Sequence, residues 1–186
     1  MEELGLLLLT GGEGRRFGAP KHVQEHPGGE TWAGRLVSTF REVFPGGPIH
    51  VLGAPVLEHP NLPRVDDPRR GPAVALRIWA QGAPSGARRW WILACDQVHW
   101  TPEALREWDL RAREEDPEAA HWVLARVEDR LQYVGSILPV TLMPTLAVQD
   151  VRSLRALAAA LPCRVIETSG PEWRDVDTQR DLLSPH

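Results

Sequence analysis

Directly behind the apolar run Leu4-Gly-Leu-Leu-Leu-Leu-Thr10, the chain reads Gly11-Gly-Glu-Gly-Arg-Arg-Phe-Gly-Ala-Pro-Lys21. Glycines there permit positive φ and leave backbone N–H groups bare, so successive amides can form a concave nest for an anion. Arg15, Arg16 and Lys21 add three cations to the same stretch. A strand, a glycine turn and clustered cations describe a cradle for phosphate; the alternative is a flexible surface turn with solvated arginines. Lys21 stands out further, because it is the single lysine among 21 basic residues. A compact ammonium acts as a point charge, whereas a guanidinium acts as a planar fork. The two are not interchangeable on a phosphate.

Two familiar phosphate loops are excluded by spacing. A P-loop requires G-x-x-x-x-G-K-[ST], but Lys21 follows Pro20 and precedes His22. The dinucleotide fingerprint G-x-G-x-x-G requires glycine where Phe17 stands. Other chemistries lack candidates too. Cys95 and Cys163 form no Cys-x-x-Cys pair, no Gly-x-Ser-x-Gly elbow occurs, and the histidines show no metal-ligand spacing. His22 and His99 flank the predicted site and are expected only to line it. The eight tryptophans sit at helical and strand positions, where core or rim is the expected place rather than a nucleobase platform.

The elements that must position these residues follow from periodicity. The run from Leu4 to Thr10 predicts a strand buried on both faces. Thr31 opens a helix with Trp32, Leu36, Val37, Phe40 and Phe44 on one side, stopped by Pro45-Gly46-Gly47. Ile49 to Leu52 predicts a short strand, and Gly71-Pro72 starts a helix with proline at its first position. Arg89 to Cys95 (RWWILAC) predicts a second fully apolar strand, followed at once by Asp96. Thr101-Pro102-Glu103 is a helix start. Two strands, His121 to Val127 and Leu131 to Leu138, flank a hairpin turn at Glu128-Asp129. Asp150 is expected to cap a helix carrying Val151, Leu154, Leu157 and Leu161; Arg164 to Glu167 is a last strand. Thr178, with Asp181 three residues on, opens a short C-terminal helix.

Strands alternating with helices of about a dozen residues indicate an α/β fold with a largely parallel sheet, more antiparallel in its last third. Ligands of such sheets bind beyond the carboxyl ends of the strands. That rule selects the loop after Thr10 and the residue after Cys95.

Composition sets the outer limits. At 186 residues, with 42% hydrophobic and 25% charged side chains, the chain reads as one globular domain over residues 1–186. A net charge of −4 argues against a general nucleic-acid binder. The longest apolar run is far short of the ~20 residues of a membrane helix. The acidic opening Met1-Glu2-Glu3 is unlike a signal peptide, and two cysteines cannot staple a fold, so the cytoplasm is the expected location.

Leu9-x-Gly11-Gly12, Arg16-Phe17-Gly18 and Lys21 together resemble the signature of nucleotidyltransferases with a three-layer α/β/α, Rossmann-like fold, and among them the molybdenum cofactor guanylyltransferases (MobA type). Thr10 replaces the usual alanine. The likeness continues through Asp67-Pro68-Arg69-Arg70-Gly71-Pro72, Cys95-Asp96 and Asp175-Val-Asp-Thr178, so it spans nearly the whole chain in order. Two positions depart from it: Gln97-Val98 stand where Met or Thr and then Pro are usual, and Gly53 stands where guanylyl enzymes commonly carry Asn.

The resemblance implies Mg²⁺-dependent transfer of GMP from GTP to the phosphate of molybdopterin. CTP as donor, another phosphate acceptor, and a non-catalytic nucleotide-binding or cofactor-delivery domain are the alternatives. Lys21, Arg16 and Asp96 would be catalytic, and Leu9, Thr10, Gly11, Gly12, Lys21, Asp67 and Asp96 would bind the nucleotide. Asp96 would hold Mg²⁺, which takes one or two carboxylates plus phosphate oxygens; the plain reading of Asp96 is a turn or cap residue before Thr101. Asp67 would hold the base or ribose, or simply form a turn with Pro68. Asp177 would be a second metal ligand or merely precede the cap Thr178. Transient contact with cofactor-donor proteins or molybdoenzymes is implied; nucleic acid and membrane are not.

Overall fold

The computed structural model of the chain describes residues 2–11 and 20–176. Arg16, Gly12, Asp177 and the helix expected at Thr178 lie outside them. Strand β1, Glu2–Leu9, runs through the middle of a seven-stranded sheet, as its unbroken apolar sequence requires. It pairs in parallel with β2 (Ile49–Leu52) on one side and β4 (Ala87–Ala94) on the other. Outside β2 lies the two-residue strand β3, Arg64–Val65, too short to leave a periodic signal in the sequence. Beyond β4 come β6 (Arg130–Pro139), β5 (Trp122–Val127) and β7 (Cys163–Glu167).

As expected, parallel order breaks down in the last third. β6 is antiparallel to both β4 and β5, because the turn at Glu128-Asp129 folds β5 straight back into β6. Both turn residues have positive φ, 48° and 64°, the geometry of a type I′ hairpin. β7 then returns parallel to β5.

Helices cover both faces. Leu4, Leu6 and Leu8 of β1, with Trp91 and Leu93 of β4, pack against α1 (Trp32–Val43) and α3 (Pro102–Glu115). The intervening Leu7, with Trp90 and Ile92, faces α2 (Pro72–Gln81), α4 (Met143–Ala147) and α5 (Leu154–Ala160). Period-two alternation thus feeds two cores, and the result is the three-layer α/β/α arrangement. Gly5 makes room for this packing: a Cβ there would meet the Trp90 ring at 2.9 Å.

Helix starts follow local chemistry. Thr31 and Thr101 cap α1 and α3 by accepting from Gly34 and Ala104 N–H at 3.0 and 3.2 Å. The cap expected at Asp150 is instead Ser153, whose hydroxyl accepts from Ala156 N–H at 3.2 Å. Asp150 is drawn off by Arg77, 3.0 Å away on α2, and Val151 packs as a partly buried residue ahead of the helix. The short helix α4, started by Pro144 in its first turn, has no counterpart in the sequence reading.

The tryptophans form the core rather than a surface platform. Trp91, Trp100, Trp173 and Trp108 follow one another in T-shaped contacts with ring centroids 4.9, 5.0 and 4.8 Å apart. Trp173 belongs to the segment after β7 and lies against Gly135 of β6. At Gly135, φ is +83° and a Cβ would stand 2.6 Å from the Trp173 ring. Gly135→Ala is therefore expected to cost about 1–3 kcal/mol of stability, through backbone strain and displacement of that ring. A lower urea midpoint at unchanged slope measures it.

Candidate active site

The carboxyl ends of β1, β2 and β4 open into a cleft of about 1010 Å³ that also takes in Lys21, Asp67 and the start of α2. It lies where the sequence places it, and the register explains why: Leu9 pairs with Leu52 and with Ala94, so the three strands end at one level. Cys95 N–H donates to the Leu9 carbonyl at 3.1 Å and carries that register one residue further, to the doorstep of Asp96.

Thr10 is buried and fully engaged. Its N–H donates to the Leu52 carbonyl at 3.0 Å, and its hydroxyl donates to the Ala54 carbonyl at 2.7 Å. The hydroxyl clasps β1 to the turn after β2, a bond that alanine cannot make. Behind it the two backbones come very close. Gly53 has φ +121°, and a Cβ on it would stand 2.6 Å from the Gly11 nitrogen. A side chain at position 53 is therefore excluded by the backbone itself, which gives a physical reason for glycine there.

Gly11 meets a second neighbour. A Cβ on it would lie 2.2 Å from Asp67 Oδ2, so the bare backbone admits this carboxylate to the mouth of the loop. Asp67 forms the turn and also faces the cleft: Oδ1 accepts from Arg69 N–H at 2.8 Å, while Oδ2 reaches the cleft. Arg69 closes that turn at φ +56° and itself lines the cleft.

Lys21 and Asp96 are 75 residues apart in sequence, yet Lys21 Nζ donates to Asp96 Oδ2 at 3.0 Å. Their side chains are only 15% and 23% exposed, so the pair is shielded enough to hold its geometry but open to the cleft. Lys21 starts a 3-10 turn, Lys21–Val23, which brings His22 to the cleft as well. Burial depresses the His22 pKa below its ordinary value, so the imidazole is neutral at neutral pH. Cys95, buried beneath Asp96, has its thiol pushed up to about 12 by burial and then by the aspartate charge, and it is inert as a nucleophile.

Beyond Asp96 the pattern changes. Gln97 is 1% exposed and does not line the cleft, and its side-chain amide has no hydrogen-bond partner among the described residues. His99, expected to line the site, stands outside the cleft lining. Asp177 lies outside the described residues, but Val176 N–H donates to the Asp96 carbonyl at 3.0 Å, so the chain arrives at Asp96 one residue before it.

Of the expected nucleotide-binding residues, Leu9, Thr10, Gly11, Lys21, Asp67 and Asp96 all line one cleft. Ala54 and Val134 join them without having been foreseen, as does Gly53, which the sequence marked only as a departure from the guanylyl pattern. The signal for Gly53 was a glycine directly after a short strand; Val134, reached only through the β4–β6 pairing, gave none.

Comparison with known proteins agrees with this geometry. The MobA-like NTP transferase domain matches residues 6–170. A probable molybdenum cofactor guanylyltransferase of Mycobacterium tuberculosis is 27% identical over 96% of this chain and 91% of its own length. Molybdopterin-guanine dinucleotide biosynthesis protein A from Archaeoglobus fulgidus superposes with a TM-score of 0.71 at 13% identity, covering 96% of this chain and 95% of that one. A manganese complex of Rv0371C from M. tuberculosis gives 0.63 at 18% identity, over 98% and 97% of the chains. The 2-C-methyl-D-erythritol 4-phosphate cytidylyltransferase of Thermus thermophilus gives 0.65 at 12%, over 97% and 96%, so the fold itself is shared across different nucleotide chemistries. With the cleft, the order of motifs and the domain match in agreement, the chain belongs to the MobA-like NTP transferase family and is a nucleotidyltransferase.

Proposed function

We propose that the chain, as a single domain over residues 1–186, transfers GMP from GTP to the phosphate of molybdopterin in the cytoplasm. The products are molybdopterin guanine dinucleotide and pyrophosphate. An acceptor phosphate oxygen attacks the α-phosphorus in line, and the bond from that phosphorus to the bridging oxygen of the β-phosphate breaks. A phosphate nucleophile is already ionised at neutral pH, so the reaction needs positioning and charge stabilisation rather than a general base. The observation that carries this reading is the Lys21–Asp96 pair at the mouth of the glycine loop, 3.0 Å apart.

Lys21 would sit on the α- and β-phosphates and stabilise charge on the departing pyrophosphate, with Arg16 neutralising the triphosphate beside it. The backbone of Gly11 and Gly12 would cradle the phosphates, with Leu9 and Thr10 lining the cleft beneath them. The Asp67 carboxylate, held over Gly11 by its own turn, would take the ribose or base.

The donor set suits a hard cation. Among the described residues no three of His, Cys, Asp and Glu converge on one point, so those residues form no metal cage of their own. A single carboxylate facing a phosphate cradle is how Mg²⁺ is commonly taken. Asp96 would hold it, with Asp177 as a second ligand, and the bound cation would neutralise charge shared between the α-phosphate and the leaving pyrophosphate. The manganese complex of a structural neighbour supports a divalent metal.

Gly53 favours a second reading of the donor. The backbone approach at Gly11 removes a side chain from the position where guanylyl enzymes commonly carry asparagine, and a cytidylyltransferase shares the fold, so CTP is the competing donor.

Three outcomes are expected. Titrating GTP, CTP, ATP and UTP with Mg²⁺ against the melting temperature should raise it most for GTP, following ln(1 + [L]/Kd); a larger rise with CTP would overturn the guanylyl assignment. Lys21→Ala or Asp96→Ala should abolish pyrophosphate release, with a loss of ~10²-fold or more for a charge-stabilising group, while the melting temperature stays close to wild type. Unfolding of either variant would make that residue structural. Gly11→Ala should fold but push Asp67 from its place, weakening GTP binding about tenfold in the same titration.

A further inference from the structure

A cluster of two arginines and two histidines lies past Asp96, outside the cleft lining. Four chain segments supply it: His26 from the stretch ahead of α1, Arg35 from α1, His99 from the β4–α3 loop and Arg174 from the segment after β7. Three of those segments are tied together underneath by a small buried cluster of Trp32, Val98 and Val176. Each carries its member of the cluster within three positions of that anchor. Arg35 comes after Trp32, His99 after Val98, and Arg174 ahead of Val176. Arg35 Nε also reaches the Val98 carbonyl at 3.5 Å. The stretch with His26 is fastened by the Glu25–Thr31 bridge and by Trp32 N–H donating to the Gln24 carbonyl at 2.8 Å.

The four side chains lie close enough to influence one another. Arg35 bears on both histidines, Arg174 on His99, and His99 on His26; with burial as the leading cause, both imidazoles are held below their ordinary pKa. Glu30 opposes this at His26, but its carboxylate already accepts from the Ser38 hydroxyl at 2.6 Å. The two guanidiniums carry the charge, and an apolar anchor common to three segments holds them beside the same imidazole. Arg174 is exposed and the other three are half-buried, so the cluster faces solvent. His99 is three residues from Asp96, at most ~10 Å of extended chain.

We propose that His26, Arg35, His99 and Arg174 form a second phosphate site that captures the phosphate monoester of the acceptor on the Asp96 side of the cleft. The phosphate chemistry stands on the cluster alone; naming the acceptor as its source rests on the proposed function. A guanidinium pair offers forked donors to the phosphate oxygens, and the imidazoles supply further N–H groups.

The test uses the full chain, inorganic phosphate as probe and NMR of the histidine rings without added metal. The His26 and His99 signals should move and saturate with phosphate. Arg174→Gln, at an exposed position that leaves the core intact, should weaken that binding about tenfold, whereas Lys21→Ala should leave it unchanged. Immobile signals, or a response lost with Lys21→Ala but kept in Arg174→Gln, would overturn the site. In turnover with GTP and molybdopterin, Arg174→Gln should raise the acceptor KM about tenfold at constant GTP affinity. If GTP affinity falls instead, the cluster serves the triphosphate and the acceptor assignment is overturned. Should the wild type transfer nothing while its histidine signals still respond to phosphate, the guanylyl reading fails and the phosphate site stands.

Discussion

The alignment of β1 with β4 is the constraint from which the site descends. Parallel pairing from Glu2 opposite Ala87 to Leu9 opposite Ala94 brings two continuous apolar strands to the same level, and the Cys95 bond to the Leu9 carbonyl locks the last step. A slip of one residue would turn Leu4, Leu6 and Leu8 to the wrong core and Gly5 away from Trp90. The register is therefore fixed by packing on both faces, long before any ligand is involved. With it fixed, Gly11 behind β1 and the carboxylate behind β4 line one cleft, and Lys21 meets Asp96 across 75 residues of sequence.

Much of this was legible in the sequence because buried parallel strands leave an unmistakable mark. LGLLLLT and RWWILAC have no polar face, and each is followed by residues that line the cleft. The helices of α1 and α3 announced themselves by threonine caps. Asp150 was misplaced as a cap because aspartate and serine satisfy the same orphan N–H groups; only the position of Arg77 across the fold decides which of them is free to do so. The strand β3 and helix α4 are too short for periodicity to show.

The site was legible as residue types but not as contacts. Glycine after β1 pointed to bare amides, yet the reason Gly11 and Gly53 must both lack a side chain is their approach to one another and to Asp67, a three-body fact that no single stretch of sequence contains. The same holds for Thr10. It replaces a usual alanine, and its hydroxyl finds the Ala54 carbonyl 44 residues away.

The chain of T-shaped indoles gives the fold an optical property. Trp173 is the terminal segment's contribution to that chain, joined to Trp100 and Trp108, and three residues later the same segment bonds the backbone of Asp96. Rings about 5 Å apart share excitation. The segment that bonds the backbone of Asp96 thereby contributes one of its own indoles to the emission of the interior.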